Sequence, residues 1–182
     1  MKINISDLLV NNDLSRKELL ENVEVQHTTY HDALNICKIL TRSFDLSSVD
    51  EAIFQMLHSE MKLQDSVKLV DKRTGDIYGL LMLANYSINN GSPLPFVSKT
   101  MALHLSQMEQ VNGHSFIIDK RLRGTGLDKQ MLDMAYDAIK EKYDFIWVAV
   151  ERDLKSHNYW QRMGFVKLFS IPEASFYVRP LR

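Results

Sequence analysis

Residues 115–150 confine this chain to a fold of mixed helices and strands. Residues 115–119 read as a strand, and a short basic turn follows. Over 125–142, Leu127, Met131, Met134, Ala135, Ala138 and Ile139 recur on one face at helical spacing. Residues 145–150 are apolar at every position, the pattern of a central strand covered on both faces. Around this strand-helix-strand unit the chain predicts strands at 23–28, 67–70 and 77–84. The last two are joined by a polar hairpin turn containing Gly75. Helices are expected at 31–44 and 49–63, and a short one at 156–163 stopped by Gly164. Two final strands fit 165–170 and 175–179. Residues 1–22 read as a polar lead-in with a weak helical pattern. Residues 23–182 read as a single domain with an insert at about 85–113, a loop at 89–93 followed by a helix at 97–111. That insert suits a functional lid or a helix that only packs or forms a homodimer.

Composition narrows the function classes. The chain has 182 residues, with 22 Lys+Arg against 23 Asp+Glu and a net charge of -1. This balance argues against general nucleic-acid binding and against a polybasic membrane surface. The 45% hydrophobic content is enough to offset chain entropy, which excludes dominant disorder. The longest apolar runs, 80–84 and 145–150, fall far short of the ~20 residues of a membrane span. Residues 1–20 carry Asp7, Asp13, Arg16, Lys17 and Glu18 and no apolar leader core, so a cytoplasmic location is expected. The single cysteine, Cys37, lies on the apolar stripe of the 31–44 helix and reads as core.

The turn at Lys120-Arg121-Leu122-Arg123-Gly124-Thr125-Gly126 is an anion site by its chemistry. The first N–H groups of a helix lack partners within it, and the helix dipole adds partial positive charge there. Glycine lets a phosphate approach the backbone closely. A P-loop would need Gly-Lys-Ser/Thr, which is absent. A dinucleotide fingerprint would need glycine at Lys129. What stays open is an Arg-x-x-Gly-x-Gly/Ala phosphate loop, or a glycine turn that merely starts a helix.

Context favours the phosphate loop. The chain resembles the GNAT acetyltransferase superfamily over about residues 23–179. The resemblance rests on the early strand, the two helices and the hairpin at Gly75. It continues through the strand Ser115-Phe116-Ile117-Ile118-Asp119, the run RLRGTGLDKQML from Arg121, and the buried strand FIWVAV from Phe145. It closes with YWQRMGF from Tyr159, similar to the family's late Tyr-x-x-x-Gly-Phe motif. The resemblance implies an α+β (mixed α/β) fold whose splayed central mixed sheet, flanked by helices, holds acetyl-CoA as cosubstrate. The loop register falls on Arg123, Gly124, Thr125, Gly126, Leu127 and Asp128, whose N–H groups grip the pyrophosphate. The backbone of Phe116, Ile117 and Ile118 pairs with the pantetheine arm, and the Ile118 N–H polarises the thioester carbonyl. Two positions depart from the pattern. Asp128 stands where Gly or Ala is usual. Trp160 aligns with the usual tyrosine acid, leaving Tyr159 one residue off and facing differently. Asp153 aligns with the asparagine that commonly precedes that helix.

An acceptor amine must attack as the neutral base. For a lysine-like amine, deprotonation at pH 7 costs about 4.6 kcal/mol. His114, just before the cofactor strand, is the candidate general base, since imidazole titrates near neutrality. Glu151 and Asp153 are back-up carboxylates, whose simpler roles are an exposed turn and a helix cap. Tyr159 is the candidate acid. His104 and Glu109 reach the acceptor only if the insert folds over the cleft. His27 and His31 straddle a strand-helix junction, and no Cys/His cluster supports zinc, so no metal is expected. The resulting expectation is direct acetyl transfer to a small-molecule or peptide amine, with no covalent acyl-enzyme. The alternative is a catalytically degenerate CoA-binding module with a regulatory or partner-binding role.

Overall fold

The buried run at 145–151 is paired along its whole length on one edge and over its first three residues on the other. In the computed structural model, which describes residues 14–44, 51, 53, 61–88, 98–151 and 156–182, seven strands form one sheet. They are β1 (Val23–His27), β2 (Val67–Asp71), β3 (Ile77–Ala84), β4 (Gln110–Ile118), β5 (Phe145–Glu151), β6 (Val166–Ser170) and β7 (Ala174–Pro180). Their order is β1-β2-β3-β4-β5-β7-β6. Only the β4–β5 pair is parallel. The described helices are α1 (Arg16–Asn22), α2 (Ala33–Ser43), α3 (Lys99–Gln107), α4 (Leu127–Ile139) and α5 (His157–Arg162). The expected loop at 89–93 and nearly all of the expected 49–63 helix lie outside the described residues.

The two faces of the sheet are covered differently. On one, Met131, Leu132, Ala135 and Ile139 of α4 pack against Leu81, Val111, Ile146 and Val148. On the other, Ile36, Ile39 and Leu40 of α2 pack against Leu80 and Met82, with Cys37 buried among them. Leu105 of α3 packs beside Ile88, Phe145, Trp147 and Phe169, over the carboxyl-terminal half of the sheet. Gln110 ties this segment down: its side-chain oxygen accepts the Ile88 N–H at 2.7 Å and its amide donates to Leu105 O at 3.1 Å.

The splay expected of this sheet is real. The β4–β5 ladder covers only Gln110↔Phe145, Val111↔Ile146 and Asn112↔Trp147. Beyond it, β4 runs on to Ile118 and β5 to Glu151 with no register between them, while β5 stays paired to β7 along its whole length. On the other edge of β4 the register steps from Met82↔Ser115 to Leu83↔Gly113. His114 is thereby the unpaired residue of a β-bulge, a device that bends a strand and re-aims a side chain.

Two boundaries differ from the sequence reading. The strand expected at 115–119 begins at Gln110, and the helix expected at 97–111 ends at Gln107. The physical reason is Gly113. Mid-strand glycine breaks the apolar pattern, yet here it permits close contact: an added Cβ would lie 2.8 Å from Val148 Cγ1. Gly113→Ala is expected to lower stability by about 1–3 kcal/mol through overpacking. For a chain of this size that is several degrees in Tm, measurable by thermal unfolding.

Candidate active site

The turn after β4 is held by its own side chains. Asp119 N–H donates to Tyr78 O at 2.8 Å. The Asp119 carboxylate accepts the Arg121 N–H at 2.9 Å and two guanidinium bonds at 3.0 and 2.9 Å, and Arg121 donates further to Leu14 O at 3.0 Å. Burial works against the Asp119 charge, but the Arg121 bonds outweigh it and hold the carboxyl below its usual range. Arg121 is thus a structural strut. Arg123 stays exposed, its Nε donating to Ile118 O at 3.4 Å.

Gly124 (φ 72°) and Gly126 (φ 84°) occupy the left-handed region. A Cβ added at either would meet nothing within 4 Å. The first intrahelical bond of α4 runs from Gln130 N–H to Gly126 O at 3.1 Å, so the N–H groups of Leu127, Asp128 and Lys129 precede the helical ladder. The result is an open, donor-lined cradle beside Arg123.

A cleft of about 900 Å³ lies at the carboxyl ends of β4 and β5. Of the expected cofactor residues, Phe116, Ile117, Ile118, Arg123, Gly124 and Asp128 line it. Thr125, Gly126 and Leu127 complete the turn: the Thr125 hydroxyl donates to Leu122 O at 2.6 Å, and Leu127 packs against the core. Glu151 and Tyr159 also line the cleft. Asp153 lies outside the described residues.

The structure corrects the reading of the α5 pair. Trp160 is buried, its ring 5.0 Å from Phe165 and 5.5 Å from Phe116. It is a core residue, and anchoring it turns its neighbour Tyr159 to the cleft. The Tyr159 ring stacks on Phe116 at 5.7 Å. Its hydroxyl is buried beside the Asp128 carboxylate, without a hydrogen bond of good geometry. Burial, reinforced by the negative charge of Asp128, raises its pKa well above that of an ordinary phenol.

His114 is not part of this cleft lining. Tyr86, whose carbonyl accepts the Trp147 indole N–H at 3.0 Å, stacks over the imidazole at 6.3 Å. His114 Nδ1 lies 2.9 Å from Ser115 Oγ. On β5, Ile146, Val148 and Val150 face α4, so Trp147, Ala149 and Glu151 project to the opposite face. His114 therefore shares the α2 side of the sheet with Glu151. One edge of the ring is open to solvent, but the surrounding protein strips enough water to push the imidazole pKa down. The β4–β5 ladder stops at Asn112↔Trp147, so the two strands separate between this face and the glycine cradle.

The other residues weighed lie elsewhere. Glu109 O accepts the Asp144 N–H at 2.7 Å, at the amino end of β5 and so at the wrong end for the cleft. His104 is exposed on α3, and His27 and His31 are exposed. Among the described residues, no cluster of His, Cys, Asp or Glu could hold a metal, and no helix is long and apolar enough to cross a membrane. Sequence reasoning missed Arg42, at the end of α2, and Tyr78, on β3, both of which line the cleft. The Tyr78 hydroxyl is buried and unpartnered. Only its place in an apolar strand could have flagged Tyr78; nothing local flagged Arg42.

No protein-family model matches the sequence, and no curated protein matches it. Solved structures do. YhbS, a GNAT family N-acetyltransferase from Escherichia coli in complex with CoA, is 20% identical, with a TM-score of 0.60 over 88% of this chain and 82% of that one. A GNAT family acetyltransferase from Staphylococcus aureus Mu50 is 14% identical, with a TM-score of 0.56 over 88% and 99%. The PaiA N-acetyltransferase from Thermoplasma acidophilum, in complex with coenzyme A, is 8% identical, with a TM-score of 0.55 over 87% and 98%. At these identities the likeness is one of fold.

Proposed function

We propose that this chain, which has the GNAT fold, is an N-acetyltransferase that takes acetyl-CoA as donor and passes the acetyl group directly to an amine. The observation that carries this reading is the edge of β4 beyond Asn112, which β5 leaves unpaired beside the glycine cradle. A pantetheine arm is an extended chain with two amides. It can add to such an edge as a peptide strand would, taking main-chain hydrogen bonds from residues 116–118. Its diphosphate fits the N–H groups of residues 124–128, with Arg123 and Arg42 supplying positive charge. Charge-assisted bonds of this kind contribute about 1.5–3 kcal/mol each. Open space at Gly124 and Gly126 and the orphaned Tyr78 hydroxyl fit an anionic, hydrogen-bonding ligand.

The acceptor enters from the opposite, α2 face. His114 takes the proton from the ammonium, and Glu151 on the same face holds that proton's charge or a relaying water. The freed amine nitrogen attacks the thioester carbon, whose developing oxyanion takes the Ile118 N–H. The C–N bond forms, the C–S bond breaks, and the second nitrogen proton, shed as the amide forms, passes through water to the departing thiolate. Cys37, buried between α2 and the sheet, is shut off from any acyl-carrier role. A small molecule or a peptide terminus meets the chemical requirement for the acceptor.

Asp128 in the cleft favours a second reading, a CoA-binding module without catalysis. Acetyl-CoA at 100 times its Kd is expected to add about 2.7 kcal/mol of stability, roughly 5–10 °C in Tm. Thiol release with a panel of amines then separates the readings. A melting shift without thiol release supports the module, and no shift removes both.

A further inference from the structure

Asp128 opens the first turn of α4, and Tyr159 of α5 lines the same cleft beside it. In the free protein Asp128 is well placed, since an acidic side chain suits a helix N-terminus. With a diphosphate on the same N–H groups, that carboxylate becomes a repulsive neighbour. The Tyr159 hydroxyl is buried beside the Asp128 carboxylate, without a hydrogen bond of good geometry. Its ring is held by Phe116 and Trp160 at 5.7 and 5.3 Å, so the phenol has little freedom to seek a partner elsewhere. Of the charges acting on it, that of Asp128 is the strongest.

We propose that Tyr159 is a positioning residue that masks Asp128: its hydroxyl donates to the Asp128 carboxylate when a diphosphate sits at the α4 N-terminus, leaving the backbone N–H groups to the phosphates. This rests on the acetyl-CoA reading above and assigns Tyr159 a role in donor affinity instead of proton donation to the leaving thiolate. The two residues then form one device. Asp128 is tolerated in the phosphate cradle because Tyr159 faces it, and Tyr159 faces it because Trp160 is locked in the core.

The test is a double-mutant cycle read with two donors, acetyl-CoA and acetyl-pantetheine, which lacks the diphosphate. Tyr159→Phe is expected to raise the Kd for acetyl-CoA about tenfold and to leave that for acetyl-pantetheine within twofold. In an Asp128→Ala background the same Tyr159→Phe change is expected to cost less than twofold. Asp128→Asn, which keeps the shape and removes the charge, gives the same rescue if Asp128→Ala folds poorly. Equal loss with both donors, or no rescue in either Asp128 variant, overturns the proposal. So does a fall in kcat at unchanged KM, which identifies an acid acting on the thiolate. If wild-type protein binds no acetyl-CoA, the functional reading falls and takes this inference with it. If it binds and the cycle shows no coupling, only this inference falls.

Discussion

His114→Ala is expected to lower kcat by about 10²–10⁴-fold, with a much smaller effect on donor affinity. The imidazole stands on the α2 face, away from the phosphate cradle, so its loss leaves the proposed donor contacts in place. The pH dependence carries the sharper signature. Burial lowers the imidazole pKa, so the neutral base persists to pH values below the ordinary histidine value. Wild-type kcat/KM should lose activity on the acid side only as pH falls through that lowered pKa, and the variant should lack this limb. The same shift links to stability. The unfolded chain binds the proton more readily, so the contribution is complete above about pH 6.5 and is lost as pH falls below it. Unchanged pH-rate and pH-stability profiles in the alanine variant would remove His114 as the base.

Gly126→Arg is expected to weaken acetyl-CoA binding by more than 100-fold, about 3 kcal/mol, when measured by calorimetry. At φ 84° an L side chain projects from the cradle where a phosphate must approach, and the strained turn withdraws its N–H donors. The fold itself should suffer far less. Nothing lies within 4 Å of the added Cβ, so the cost is about 1–2 kcal/mol of left-handed strain, a fall of a few degrees in Tm. This contrast between binding and melting separates a cofactor loop from a plain helix start. Intact acetyl-CoA binding in a folded Gly126→Arg protein would show that the cradle has been assigned to the wrong turn.

The candidate site was readable from sequence in proportion to how local each part is. The phosphate cradle depends on two glycines, a basic turn and the amphipathic helix that follows, all within one contiguous stretch. The buried strand at 145–150 was equally plain, because unbroken apolar character needs no partner to be recognised. Gly113 and His114 were harder. Their roles as branch point and bulge follow from where the pairing of β4 with β3 shifts and its pairing with β5 stops, and both strands lie about 30 residues away. Arg121 and Arg123 look interchangeable in the sequence, yet Asp119 takes one and leaves the other at the cleft.

The order of elements and the glycine turn that starts α4 were determined by the chain itself, because backbone conformation and hydrophobic period are set over a few neighbouring residues. Which side chains meet in the cleft was decided only in three dimensions. Trp160 rather than Tyr159 enters the core because Phe116 and Phe165 converge on it. Arg42, Tyr78 and Glu151 join the site because α2 and β5 end, and β3 begins, at the same end of the sheet. Long-range packing aims a side chain, and spacing along the chain carries no record of that aim.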